Sequence, residues 1–189
     1  MEQEIQDVSI KRIQEAMPQL KGIENELIID YTEYKMPNDK HPIHRYPIRF
    51  DGLYIGLREK GKARFSINLK EFEVGHNDLV ICSPDDLVQA TLQEDVHLVQ
   101  SMVVSSHFLK EMYISLNSFM PFFAARKDHP VFHLTDSEME ELKAYFLLIK
   151  DNIEKDDYFR ADIIKRLLAA YLYKLGSILY RHRPELQEE

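Results

Sequence analysis

Eight histidines, one cysteine and a scatter of polar side chains on alternating segments are the residues of this 189-residue chain with types suited to chemistry. A metal site needs its ligands on one side of an element, and the closest-spaced histidine pair is His41 and His44 in HPIH. Three apart at the start of a strand, they face opposite sides, and no acidic residue or third histidine lies at a matching offset. They read as surface or barrel-mouth residues, and no metal is expected. Cys82 sits in LVICSP, an apolar run with no histidine or basic neighbour to lower its pKa, so it reads as a buried structural thiol. The chain has no G-x-S-x-G, no glycine-rich phosphate loop and no H-E-x-x-H. Gly61 in EKGKA belongs to a hairpin turn. No catalytic residues emerge, and no cofactor is called for.

What remains is the inside of a sheet. Small antiparallel barrels either fill with side chains or leave a ligand cavity. The strand residues suited to line one are His44, Tyr54, Arg58, His97, Gln100 and Met102. Each competes with a plainer reading as a surface residue or a satisfied core group. Alternation in VHLVQSMVV puts Leu98, Gln100 and Met102 on one face and His97 and Ser101 on the other, so the set cannot all line one cavity.

The elements that must position these residues come in two kinds. ELIIDYTEY (26–34) reads as a strand. From 43 to 104 short strand segments follow one another, separated by turn residues such as Asp-Gly, Lys-Gly-Lys and Ser-Pro-Asp-Asp. Leu53, Ile55 and Leu57 point one way and Tyr54 and Arg58 the other; Ala63, Phe65, Ile67 and Leu69 repeat the pattern. Such spacing predicts a closed barrel or a sandwich.

SIKRIQEA (9–16) predicts a short helix capped by Ser9; after Ser105 the period changes, with SSHFLKEMY reading as a short helix opened by a serine cap and SFMPFFAARKDHPVFHL as an aromatic-rich connection. Thr135 and Glu138 form a capping box ahead of a face made by Leu142, Tyr145, Phe146, Ile149 and Ile153. A longer helix follows, with Asp157 as its expected cap and Pro184 as its stop. Its Ile164, Leu168, Tyr171, Leu175 and Ile178 recur at heptad spacing. That stripe fits either the chain's own core or a dimer interface, and on the dimer reading Leu168→Glu or Leu175→Glu yields a folded monomer.

Composition sets the frame. Apolar residues make up 44% and charged residues 30%, as in ordinary globular domains. The net charge of −8 builds no positive potential for phosphates, so the chain is a poor nucleic-acid binder by itself. The acidic start is no secretory signal, no apolar run is long enough to span a membrane, and a lone cysteine suits a cytoplasmic protein.

GLYIGLREKGKARFSINLKEFEVGHNDLVICSPDDLVQ, with the later HLVQSMVVSSHFLKEM, resembles the N-terminal regulatory domain of AraC/XylS-type bacterial transcriptional regulators. The shared pattern is a strand–KGKA-type turn–strand hairpin, a stretch ending near a proline, a strand running into S..F, and a pair of helices. It covers residues 25 to 182 or so. The resemblance implies an α+β fold, an antiparallel cupin-like β-barrel of about seven or eight short strands followed by C-terminal amphipathic helices. It implies a sensory barrel over residues 1–105, a helical dimerisation subdomain over 106–183, and the start of a linker over 184–189.

Sensing is the function it implies, without catalysis. An unidentified small-molecule effector binds the barrel, a homodimer forms through the C-terminal helix, and DNA is read by a helix-turn-helix half that this chain lacks. The metal-binding cupins carry an H-x-H pair, but the matching hairpin here reads REKGKARFSIN, with only His76 nearby in VGHND. The resemblance therefore implies a cupin-shaped pocket without its metal. A metal-dependent cupin enzyme, such as a dioxygenase or isomerase, is the alternative. A cyclic-nucleotide-sensing barrel is disfavoured by the acidic SPDDLVQATLQED, and an oligomerisation module with a filled barrel stays open.

Overall fold

Strand periodicity governs the first part of the chain and helical periodicity the last, and the two parts stack as layers. The computed structural model describes residues 6–35, 46–112 and 129–182. A six-stranded sheet runs, edge to edge, through β11 (Val131–His133), β8 (Asp78–Cys82), β5 (Gly52–Lys60), β10 (Val96–Ser105), β3 (Leu27–Lys35) and β2 (Lys21–Ile23). A five-stranded sheet orders β1 (Gln6–Val8), β4 (Ile48–Phe50), β9 (Leu87–Leu92), β6 (Ala63–Ile67) and β7 (Lys70–Val74). The β1–β4 pair is parallel; the other described pairs are antiparallel.

The fold is α+β as expected, and of the closed barrel and the sandwich that the strand spacing allowed, the described strands form a sandwich of two separate sheets. It also holds more strands than the expected seven or eight, because three-residue edge pieces such as β1, β2 and β11 are too short to show a period in sequence. Between the sheets lies one core, in which Ile28, Tyr54, Val80 and Val103 meet Phe50, Phe65, Ile67 and Val88. Ile10 and Ile13 of α1 (Ile10–Ala16) join it, with Ser9 capping the helix as predicted.

The opposite face of the six-stranded sheet is covered by helices. Leu53, Ile55, Leu57 and Met102 pack with Phe108 of α2 (Ser106–Glu111), Phe146 of α3 (Asp136–Glu154) and Leu168 of α4 (Arg160–Arg181). The alternation predicted along β5 is correct, and its seven successive buried residues from Gly52 to Arg58 follow from a central strand covered on both faces. The capping box on α3 forms: Thr135 Oγ1 accepts from the Glu138 amide at 3.3 Å, and Glu138 Oε2 accepts from the Thr135 amide at 3.0 Å.

Three expectations need correcting. Leu69 does not continue the buried stripe of β6; it sits 86% exposed at the turn into β7, because the strand ends at Ile67. Asp157 does not cap α4. Its carboxylate accepts from the Phe159 amide at 2.8 Å, and the helix starts at Arg160 without a side-chain cap. The heptad stripe Ile164, Leu168, Tyr171, Leu175 and Ile178 is buried in the chain's own core, each residue at most 4% exposed. A helix laid on a sheet with another helix beside it needs a wide apolar face, and that requirement alone accounts for the spacing.

Candidate functional site

Strand β5 sends Tyr54, Gly56 and Arg58 into the sandwich, and the glycine makes the arrangement possible. A Cβ at position 56 would lie 2.5 Å from Tyr54 Oη, so the phenol lies along the strand over the bare backbone. Its ring stacks on Phe50 with centroids 5.7 Å apart. Burial pushes the Tyr54 phenol well above its ordinary range, with Cys82 and Asp30 adding to the rise and Arg58 opposing it. Tyr54 is therefore a neutral hydroxyl that feels Arg58 and Asp30 together.

Arg58 is 4% exposed and His97 fully buried. Arg58 Nη1 lies 3.0 Å from His97 Nδ1 and donates to the Lys60 carbonyl at 3.4 Å. The tautomer follows from the other side of the ring. His97 Nε2 faces the Glu94 carbonyl, which can only accept, so Nε2 carries the hydrogen and Nδ1 accepts from Arg58. Burial, aided by the charge of Arg58, holds the imidazole below its ordinary range and hence neutral, against the opposing pull of Glu94. Gly61, at φ +81°, carries the turn across this pair, and a Cβ there would stand 2.4 Å from His97 Nδ1.

The guanidinium is incompletely satisfied. Its Nε is buried without a partner, and among the described residues no carboxylate reaches it; Asp78 and Glu94 act on it only at a distance. Burial lowers its pKa first of all. Further along the same face, Asp30 Oδ1 accepts from Thr32 Oγ1 at 2.8 Å while Oδ2 has no partner. Desolvation raises the Asp30 pKa against that hydrogen bond. A cavity of about 10 Å³ beside it, lined by Asp30, Tyr54, Ser101, Phe50 and Ile13 among others, is close to the room one water needs.

The candidates named from sequence divide accordingly. Tyr54, Arg58 and His97 come together inside the sandwich. Gln100 and Met102 face the helices, as their alternation requires, and His44 lies outside the described residues. Gln100 Nε2 donates to Glu59 Oε1 at 2.6 Å, and Glu59 Oε2 accepts from Lys143 Nζ of α3 at 2.8 Å. Lys143 also stands 5.6 Å from the Tyr31 ring centroid. Against the push of burial, hydrogen bonds from Lys143, Gln100 and Tyr31 hold the Glu59 carboxyl below its ordinary range.

Asp30 was missed, although its sequence signal is plain: in ELIIDYTEY it shares a strand face with Ile28. Glu59 and Lys143 lie 84 positions apart and give no such signal. Among the described residues no group of three His, Cys, Asp or Glu is placed to hold a metal ion, and no described helix is long and apolar enough to cross a membrane.

No protein-family model matches the chain, and no curated protein matches it by sequence. Solved structures that align with the chain include AraC-like regulators and cupins. ToxT from Vibrio cholerae aligns at 11% identity and TM-score 0.48, over 80% of this chain and 56% of that one. The AraC-like transcriptional activator CuxR aligns at 13% identity and TM-score 0.46, over 82% of this chain and 52% of that one. A cupin 2 conserved barrel domain protein from Leptotrichia buccalis aligns at 10% identity and TM-score 0.37, over 46% of this chain and 39% of its own. The chain thus spans about half the length of the two regulators.

Proposed function

We propose that this chain is the effector-sensing and dimerisation part of an AraC-type transcription regulator. It works in the cytoplasm without catalysing a reaction, and DNA is read by a part of the regulator outside it. The observation that carries this reading is the buried polar group Tyr54–Arg58–His97, held inside a sandwich whose strand β5 also grips the helical layer through Glu59 and Lys143. A ligand in the sandwich and a helix on its far side are then one residue apart. On this reading residues 1–105 form the sensor and 106–183 the dimerisation subdomain. Since the heptad stripe is buried, what the helical pair can offer a second copy is its exposed apolar side chains, among them Leu147, Leu148, Phe159 and Tyr173.

A thermal-shift screen of the chain against sugars, small acids, nucleotides and divalent metals, with and without EDTA, tests the sensing role. Stabilisation by one organic class, indifferent to EDTA, is the expected result, because a ligand bound only by the native state raises its stability. Stabilisation by a metal that EDTA reverses would instead favour a cupin enzyme.

A further inference from the structure

We propose that the Arg58–His97 contact is an acid-released latch: a proton taken up at His97 Nδ1 breaks it and frees the turn between β5 and β6. The proposal deepens the sensing reading by adding the proton as an input, and rests on that reading for its use.

The ring has no spare nitrogen. Nδ1 accepts from Arg58 Nη1 at 3.0 Å, and Nε2 donates to the Glu94 carbonyl. A second ring proton would have to sit on Nδ1, where a donor already points at it. The guanidinium keeps its own protons throughout, so it cannot turn acceptor. Protonation therefore sets two donors and two positive charges face to face, and the contact must part.

Nor can the ring ease away in place. His97 is fully buried, and the Gly61 backbone comes so close that a Cβ there would stand 2.4 Å from Nδ1. Lys60 and Lys62, on either side of that glycine, are exposed. Lifting this turn is thus the short way for a charged ring to reach water. Arg58 is followed directly by Glu59, which holds α3 through Lys143, so release at Arg58 reaches the helical layer.

The charges around the ring act in opposed senses. Arg58 of β5 disfavours a charged ring, while Glu94 and Asp95, ahead of β10, favour one. Asp78 of β8 and Tyr54 of β5 act on Arg58, and Lys60 is engaged by Glu33 of β3 at 2.9 Å. Burial, joined by Arg58, prevails, so the folded chain binds this proton less readily than the unfolded one. Linkage then gives the sign. The stability that the neutral ring contributes is whole above its ordinary 6.5 and is lost as pH falls from there toward the lower folded value.

The experiment uses the whole chain. Long-range nitrogen–proton NMR of the imidazoles, with His97→Asn assigning the signal, reads the ring. At about pH 8 the hydrogen is expected on Nε2, with Nδ1 bare. Native-state amide exchange, corrected for intrinsic rates, is expected to lose protection around Gly61 and in α3 between about pH 8 and pH 5, where histidine changes charge. His97→Asn keeps an acceptor near the place of Nδ1 and takes up no proton, so that loss should vanish. The gap between the urea midpoints of parent and variant should shrink as pH falls. Asp30 and the other histidines titrate in both chains and cancel. Arg58→Met should let the ring take its proton at a higher pH than in the parent, a change that a merely structural role would not bring. Should His97→Asn fail to fold, His97→Gln supplies the same neutral comparison.

A ring that carries its hydrogen on Nδ1 at about pH 8, or is charged there, overturns the latch. So does a pH dependence of exchange around Gly61 and in α3 that His97→Asn leaves intact. A compound from the thermal-shift screen that binds equally across this range leaves the sensing reading standing and removes the proton from it. A latch that opens as stated, in a chain that no compound stabilises, does the reverse: the latch holds and the effector reading falls.

Discussion

Arg58 and Glu59 are consecutive on β5 and hold opposite faces of the six-stranded sheet. Arg58 Nη1 meets His97 Nδ1 at 3.0 Å inside the sandwich, and Glu59 Oε2 meets Lys143 Nζ at 2.8 Å against α3. The register explains how both are accommodated: the partner of β10 jumps from Lys60 at Leu98 to Arg58 at Val99, leaving Glu59 as the extra residue of a bulge. Bulges re-aim side chains next to sites in this way.

Lys143→Met tests the outer half of that arrangement. It leaves the Glu59 carboxylate half-hidden with Gln100 and Tyr31 as its remaining donors, at a cost of about 1–3 kcal/mol. Urea denaturation should show the lowered midpoint. Native-state amide exchange should rise in α3 before it rises in β3 or β10. An α3 that exchanges as slowly as in the parent would mean that this pair does not fasten the helical layer.

The buried stripe of α4 predicts a sharp contrast between two substitutions. Leu168 is fully buried, so Leu168→Glu places a carboxylate in the core, and the expected product is an unfolded or aggregated chain; even Leu168→Ala should lose about 2–5 kcal/mol. Leu148 is 50% exposed, so Leu148→Glu should change stability by no more than about 0.5 kcal/mol. Circular-dichroism melting reads the stability, and sedimentation velocity reads the association state. A folded, monomeric Leu168→Glu protein would sink this assignment of the two faces.

The same residues show how far the sequence could be read. Alternation along β5 and β10 was visible because one wrong step would turn every apolar side chain to the wrong layer. It therefore placed Tyr54, Arg58, Gln100 and Met102 on their correct faces. The capping residues Ser9 and Thr135 were equally legible, since a cap satisfies amides three residues away. Partners across layers were not legible. The stripe of α4 has the same spacing whether it meets a sheet or a second subunit, and nothing in REKGKA announces that Glu59 will reach Lys143. Nor does sequence tell a closed barrel from two facing sheets, because both require the same alternation.

Glu138 gives a pH prediction. Its carboxylate joins the α3 capping box and accepts from Arg181 Nη2 at 3.1 Å and from His182 Nε2 at 3.0 Å, so it fastens the end of α4 to the start of α3. Against burial, the bonds from His182, the Thr135 amide and Arg181 bring its pKa from 4.5 down to about 2. A depressed carboxyl stabilises the fold fully above its unfolded value, and the contribution fades as pH falls toward the folded one. Glu138→Gln should therefore cost stability at pH 7, by at most about 3 kcal/mol. The gap from the parent should narrow between pH 4.5 and pH 2. Chemical denaturation at pH 7, 4 and 2.5 measures it, and a gap that stays constant would remove Glu138 from that role.

The turn between β6 and β7 predicts a stabilising change. Asn68 and Leu69 both have positive φ, 49° and 68°, as the two central residues of a tight hairpin turn of the mirror-image kind require. Asn68 suits its place, and its side chain also bonds Asp86 at 2.7 Å and the Leu87 amide at 3.0 Å. Leu69 does not suit its place: a left-handed backbone costs a side chain with a Cβ about 1 kcal/mol or more, and at 86% exposure it recovers almost nothing by burial. Leu69→Gly relieves that strain, at the smaller expense of a more flexible unfolded chain. The expected net gain is about 0.5–1 kcal/mol, which for a chain of this size raises the melting temperature by about 1–4 °C. A fall in melting temperature would show that Leu69 is held there by a contact worth more than the strain it carries.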